Sequence, residues 1–234
     1  MKISGISIDM FETLVTVDKR IEEVWKAILE DEYRKESVPK YINKYHEFFG
    51  MMMETAYGSK DFIKLKTIFK CVFSKIKYTN NYNFDVEKAV EVLIEEHSKA
   101  CFFIDTTAFF NQWNHECELW LSSDADHVMI DPLLSELKFD RKFISEDIKA
   151  YKRDNQDRFF RRIISETNVN AKEIIHVGDS LSDIIGAKRA GIKACWLNRL
   201  NIDWNNQCRP DYTISSLIEL PDLLKKINEM DEKC

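Results

Sequence analysis

Glycine and proline are scarce in this chain. Six Gly and four Pro among 234 residues exclude a collagen-like repeat and a Pro/Gly-rich flexible linker. Each clustered glycine therefore needs a reason. The six cysteines, at 71, 101, 117, 195, 208 and 234, contain no CxxC pair. That spacing argues against a zinc knuckle or a thioredoxin-like pair, and reduced thiols are expected. No apolar run reaches the length of a membrane span, so no membrane partner is expected. The apolar run before Asp9 is too short for a secretory leader, and the expected compartment is cytoplasmic. An excess of positive charge is also lacking. Lys and Arg total 34 against 40 Asp and Glu, a formal net charge of −6, which disfavours broad nucleic-acid binding.

What is present supports a core. Hydrophobic residues make up 44% and aromatics 12%, which excludes a disordered chain. The length allows one large domain, or a core with a smaller insert. Ile3 to Ile8 reads as a short buried strand ending at Asp9. From Asp18 to about Ala100 apolar residues recur at helical spacing. The stripes are Ile21, Val24, Trp25, Ile28 and Leu29, then Phe62, Leu65, Phe69, Val72 and Phe73, then Ala89, Val90, Leu93 and Ile94. Met51 to Met53 are expected to fill core, and Tyr78 to Asn83 to form a loop. Beyond Ile104 strands and helices alternate. Strands are expected at Glu118–Leu121, Lys142–Ile144, Glu173–Val177 and Ile192–Leu197. Helices are expected over 128–137, 157–167, 181–190 and 217–227. This alternation implies an α/β fold with a mainly parallel sheet covered on both faces, interrupted after its first strand by a helical block.

Asp9, Ser122, Lys152 and Asp179 fall at predicted carboxyl ends of strands or in the loops beyond, the edge where open α/β sheets bind ligands. Two carboxylates from different strands can hold one hard cation, with Mg²⁺ a natural choice. Asp183, four residues after Asp179, either holds metal-bound water or fixes Lys152. The Ser122 hydroxyl and the Lys152 charge can meet phosphoryl oxygens, and Asp9 can attack phosphorus. Taken singly, each residue has a plainer reading. The aspartates and Ser122 can be helix or turn caps, and Lys152 a solvated side chain.

The order of these groups resembles the haloacid dehalogenase-like superfamily. Its first motif corresponds to Asp9-Met10-Phe11-Glu12-Thr13-Leu14-Val15 and its second to the strand end at Ser122. The third corresponds to Ser145-Glu146-Asp147-Ile148 followed by Lys152. The fourth corresponds to His176-Val177-Gly178-Asp179-Ser180-Leu181-Ser182-Asp183, with Gly186-Ala187 and Ala190-Gly191 beyond. The resemblance implies a Rossmann-like three-layer core from residues 1–15 and 105–234, with 16–104 as a helical C1-type cap. It assigns Asp9 as nucleophile and Thr13 as its support. Thr13, Ser122, Ser123 and Lys152 match the phosphate-binding positions. Asp9, the Phe11 carbonyl and Asp179 match the Mg²⁺ ligands, and Asp183 matches the second acidic residue of motif four. The implied activity is Mg²⁺-dependent hydrolysis of a small phosphorylated metabolite through an aspartyl phosphate, by a monomer or homodimer.

Phe11 departs from the pattern. The family's phosphomonoesterases carry an aspartate there, which protonates the leaving group and then activates water. Loss of a positioned acid or base costs a factor of about 10² to 10⁴, or roughly 3–5 kcal/mol of barrier. Poor alkoxide leaving groups suffer most. Glu12 is adjacent but is expected to point away along an extended chain. Arg153 stands where a proline usually follows the lysine, which predicts a less rigid Lys152, and Ser123 stands where an asparagine is common. Two alternatives follow. One is a metal-independent dehalogenase-type hydrolase acting at carbon, which tolerates Phe11 but has no use for the Asp179/Asp183 pair. The other is a non-catalytic binding or regulatory protein with the same fold.

Overall fold

The computed structural model describes residues 2–17, 20–113 and 117–231. In chain order the elements are β1 (Gly5–Ile8), β2 (Val15–Thr16), α1 (Ile21–Leu29), α2 (Val38–Gly58), α3 (Leu65–Asn80), α4 (Val86–Ser98), β3 (Cys101–Phe102) and α5 (Ile104–Gln112). There follow β4 (Glu118–Ser123), α6 (His127–Ile130), β5 (Arg141–Ile144), α7 (Ser145–Ile148), α8 (Arg158–Thr167), β6 (Ile174–Gly178), α9 (Leu181–Arg189), β7 (Lys193–Leu197), β8 (Tyr212–Ile214) and α10 (Leu220–Asp231). They divide into a core unit of residues 1–16, 102–124 and 137–234 and a helical unit of 17–101 and 125–136.

The core unit is Rossmann-like. Its six-stranded sheet runs β5-β4-β1-β6-β7-β8, with every pair parallel. Parallel strands covered on both faces need apolar side chains on both, and β1 and β6 are buried at every position. One face packs Trp120, Phe143 and Trp196 against Phe159 and Phe160 of α8 and Ile184 of α9. Full burial of each such side chain contributes about 1.5–3 kcal/mol. Ile6, Ile8, Leu119, Leu121, Ile175 and Val177, at the alternate positions, are equally buried on the other face. β1 lies between β4 and β6, and strand order reverses beside it, so the loops after these three strands gather at one edge of the sheet. The chain's exit and return are stitched to each other within this unit. The Phe103 N–H and the Thr106 hydroxyl both donate to the Leu14 carbonyl, at 3.1 and 2.7 Å.

The helical unit packs α2 on α3, α3 on α4 and α1 on α4. Its aromatic centre includes Trp25 tilted on Tyr41 and edge-on to Phe73. The unit takes in 125–136, which lies outside the 16–104 segment expected to form the insert. The cause is local. Nothing within α3 caps its N-terminus; instead the Asp126 carboxylate accepts from the Leu65 and Lys66 N–H groups, at 3.1 and 2.7 Å. A carboxylate there satisfies orphan donors and complements the helix dipole.

Several elements differ from expectation. α2, 21 residues long, lies between the first two apolar stripes, where the sequence shows no helical stripe of its own. α3 runs to Asn80, three residues into the predicted loop, because Thr79 and Asn80 bond back to the Lys75 and Ile76 carbonyls and Asn81 ends the helix with φ 54°. The helix expected over 128–137 is the short α6 followed by a 3₁₀ turn over Asp131–Glu136. Of the three consecutive methionines, Met53 is buried and Met51 is exposed. Cys71, Cys101, Cys117, Cys195 and Cys208 are free thiols; Cys234 and Asp18 lie outside the described residues. Among those residues no helix is long and apolar enough to cross a membrane.

Candidate active site

Asp9 follows β1 directly and is 7% exposed. Beyond it the chain folds into a tight turn, in which the Leu14 and Val15 N–H groups donate to the Met10 carbonyl and the Glu12 N–H donates to the Val15 carbonyl. Glu12 adopts φ 60° to make that turn, a left-handed conformation costing about 1–2 kcal/mol for an L-residue with a side chain. The extended geometry expected at Glu12 is therefore absent. Its carboxylate accepts from the Thr16 hydroxyl at 3.4 Å. The Thr13 hydroxyl donates to Asp179 Oδ1 at 3.3 Å rather than to Asp9. The Thr13 carbonyl is held by Arg199 at 2.7 Å, and that guanidinium also donates to Asp105 at 2.6 Å and lies 4.1 Å over the Phe103 ring.

Lys152 is the positive centre of the site. Its ammonium donates to Asp9 and, at 2.6 Å, to Asp183, with all three groups buried. Burial works against its charge, but Asp183, Asp9 and Asp124 outweigh it and hold the ammonium protonated above its ordinary value. The backbone is fixed too. The Lys152 N–H donates to Asp124 Oδ1 at 2.9 Å, and a Cβ placed on Gly186 of α9 would lie 2.1 Å from the Lys152 carbonyl oxygen. Gly186 thus lets α9 lie directly on this segment.

Asp183 is bonded to Lys152, as one of the two roles open to it requires. Its Oδ1 accepts from Lys152 and from His176 Nε2, the latter at 2.9 Å. Its Oδ2 accepts from the Ser180 N–H at 3.0 Å and the Ser180 hydroxyl at 2.5 Å, closing a capping box on α9. Burial alone would raise this carboxyl, yet Lys152 and His176 hold it far below the usual range. Asp9 goes the other way. Burial pushes it up to about 6 despite Lys152, with Asp183 adding repulsion. Asp179 is likewise raised by burial and then by Asp183 and Asp9, and its carbonyl accepts from the Trp196 indole at 2.9 Å. Asp124 is pushed up to about 7 by burial.

The structure thus brings Asp9, Lys152, Asp179 and Asp183 together, with Thr13 on Asp179. Oxygens of Asp9, Asp179 and Asp183 lie within 4.8 Å of one another. Ser122 is fully buried at the end of β4 and meets Ser7, 2.6 Å away on β1. Ser123 is also fully buried, and its hydroxyl has no hydrogen-bond partner among the described residues. Sequence reasoning missed Ser7, Asp124 and Arg199 as parts of this network. Ser7 did leave a signal, being a hydroxyl two residues before Asp9, on the same face of an otherwise apolar strand.

A sequence profile described as haloacid dehalogenase-like hydrolase matches residues 3–191. The chain is 25% identical over 253 aligned positions to a glyceraldehyde 3-phosphate phosphatase of Pyrococcus furiosus, spanning 99% of this chain and 97% of that one. It is 36% identical over 89 residues to the Escherichia coli pyrimidine 5'-nucleotidase YjjG, 38% of this chain and 39% of that one. Among solved structures, the HAD-hydrolase YfnB from Bacillus subtilis bound to magnesium superposes with a TM-score of 0.78 at 17% identity, covering 96% of this chain and 99% of YfnB. The L-2-haloacid dehalogenase RSc1362 also superposes at 0.78, with 12% identity over 96% of this chain and all of its own.

Proposed function

Because the chain belongs to the haloacid dehalogenase-like hydrolases, we propose that it hydrolyses a small phosphorylated metabolite, using Asp9 as nucleophile and Mg²⁺ as cofactor. The observation that carries this reading is the charge imbalance around Lys152. Asp9, Asp179 and Asp183 crowd within 4.8 Å against a single ammonium. Burial raises Asp9 and Asp179, and repulsion from the neighbouring carboxylates adds to it, so without a further cation protons supply part of the balance. A hard divalent ion fits this all-oxygen donor set. Asp9, Asp179 and the Phe11 carbonyl would hold it, while both oxygens of Asp183 are already engaged. When bound, such an ion neutralises charge on transferring phosphoryl oxygens.

The chain's own residues account for the remaining steps. The Asp9 carboxylate attacks phosphorus, and the bond to the leaving oxygen breaks with its electron pair on that oxygen. Water then attacks the phosphorus of the aspartyl phosphate and returns the carboxylate. Lys152, Thr13, Ser122 and Ser123 bind and orient the phosphoryl group. Lys152 has three N–H donors, two of them committed to Asp9 and Asp183, and its third serves a phosphoryl oxygen. Phe11 brings no proton. Asp124, anchored one residue beyond Ser123 and raised to about 7, is our candidate for proton exchange with the leaving group and water, since an acid–base group works best near the ambient pH. A phosphoester substrate is also what the names of the Pyrococcus furiosus and Escherichia coli relatives describe.

The second reading is metal-independent displacement of halide from carbon. Phe11 favours it, since halide leaves without a proton. The acidic excess opposes it. Magnesium-stimulated phosphate release from acetyl phosphate or p-nitrophenyl phosphate, lost in Asp9→Asn, supports the phosphatase. Absence of turnover on phosphoesters and acyl phosphates alike, with Asp9→Asn no different from the parent, sinks it. Halide release from 2-haloacids that ignores a chelator establishes the alternative.

A further inference from the structure

The end of β7 reaches Asp179 by two routes. β7 runs parallel to β6 with Trp196 in register with Gly178, the residue before Asp179. The Trp196 indole N–H donates to the Asp179 carbonyl at 2.9 Å, and Trp204 meets the indole edge-on at 4.9 Å. Beyond the strand, Asn198 closes a short loop. Its side-chain amide donates to the Ile202 carbonyl at 2.8 Å and accepts from the Ile202 N–H at 3.1 Å, while Asn201 takes φ 49°. That loop carries Arg199, whose guanidinium spans two groups. One nitrogen donates to Asp105 at 2.6 Å and another to the Thr13 carbonyl at 2.7 Å. Thr13 is fully buried, and its hydroxyl donates to Asp179 Oδ1 at 3.3 Å. That bond is long for a hydroxyl donor, so a small displacement of the Thr13 backbone breaks it. All of these residues belong to the core unit.

We propose that Trp196 and Arg199 are positioning residues for Asp179. Trp196 fixes its main chain directly, and Arg199 fixes its carboxylate through Thr13. The proposal rests on the reading of Asp179 as a magnesium ligand. Partners that orient a ligand govern how well it holds its metal, and losing one typically costs about 10–100-fold in affinity. The plainer role for Arg199 is to tie the Asp9 turn to α5. The two roles separate cleanly. A tie acts on stability, whereas a route through Thr13 acts on metal affinity only while the Thr13 hydroxyl is present.

The test is calorimetric titration of the full-length protein with Mg²⁺ at pH 8, below the melting transition of every variant compared. Thr13→Val, Arg199→Met and Trp196→Phe are each expected to weaken binding by about tenfold. Thr13→Val combined with Arg199→Met is expected to stay within about twofold of Thr13→Val alone, since residues acting through one bond do not add. Affinity equal to the parent's in Arg199→Met or Trp196→Phe would overturn the proposal. So would a double variant weakened by the product of the two single effects. If Arg199→Met does not fold, Arg199→Lys takes its place. Lysine keeps a charge for Asp105 but lacks the planar fork that serves two acceptors at once, so about tenfold weaker binding is again expected, and parental affinity overturns the proposal. A parent that binds no Mg²⁺ overturns the magnesium reading and this proposal with it. A parent that binds, with variants that bind equally well, overturns this proposal alone.

Discussion

Asp183 fills the space that a side chain on Gly178 would need: a Cβ there would lie 2.2 Å from the Asp183 carboxylate carbon. Gly178→Ala must therefore displace either β6 or the group that holds Lys152. The expected cost is about 1–3 kcal/mol of stability, as for other overpacked cores, together with a large loss of turnover. Thermal melts and activity read side by side check this. A variant as stable and active as the parent would show that Asp183 has room to move.

Asp9 sets a proton–metal competition. Burial raises its carboxyl from the ordinary 3.8 to about 6, so the folded protein binds this proton more tightly than the unfolded chain does. Ionising Asp9 therefore costs the metal-free fold stability as pH rises from about 4 through 6. A cation needs the ionised form, so magnesium affinity should fall below pH 6 and binding should release protons. The acid limb of the activity profile should move to lower pH as magnesium is raised. A limb that stays fixed across a hundredfold change in magnesium speaks against Asp9 as a ligand.

Asp124→Asn separates proton transfer from phosphoryl transfer. With alkyl phosphates, whose leaving groups need a proton, turnover should drop by about 10²-fold or more. With acetyl phosphate or an aryl phosphate, the loss should stay below about tenfold. Equal losses on all three substrates would reassign Asp124 to anchoring the Lys152 backbone alone.

Arg199 ties the Asp9 turn to α5. Burial pushes the Asp105 carboxyl up, but bonds from Arg199, Ser216 and the Leu217 N–H outweigh it and hold it below its ordinary 3.8. Such a group stabilises the fold above that value, and the contribution is lost as pH falls through the folded value. Arg199→Met should cost about 3 kcal/mol at pH 7, the lower end for breaking a buried pair because both groups keep some exposure, and clearly less near pH 3. Denaturant unfolding at the two pH values checks the sign.

What could be read in the sequence was whatever local pattern dictates. Ile174 to Val177 announce a buried parallel strand, and Gly178-Asp179 with Asp183 announce the turn and capped helix that follow. The spacing of Asp9, Ser122, Lys152 and Asp179 along the chain matched strand ends that the fold brings to one edge. Hidden features depended on partners far away in sequence. Ser7 meets residues 115 and 169 positions distant, and Asp126 caps a helix that starts 61 positions earlier. α2 buries only Tyr41, Phe48, Met53 and Ala56 along its 21 residues, a face too sparse to stand out as a stripe. Glu12 departs from the extended chain expected there because its left-handed backbone is imposed by the turn around Met10 and Val15, which nothing in the residue type itself announces.

The carboxylate of Asp126 has a practical consequence for anyone exchanging specificity modules among related chains. The helical unit is not one removable cassette. A transplant of residues 17–101 alone would arrive without the cap for α3, since that cap comes from 125–136. A working chimera has to move two separate stretches together, cutting the recipient chain at four points instead of two.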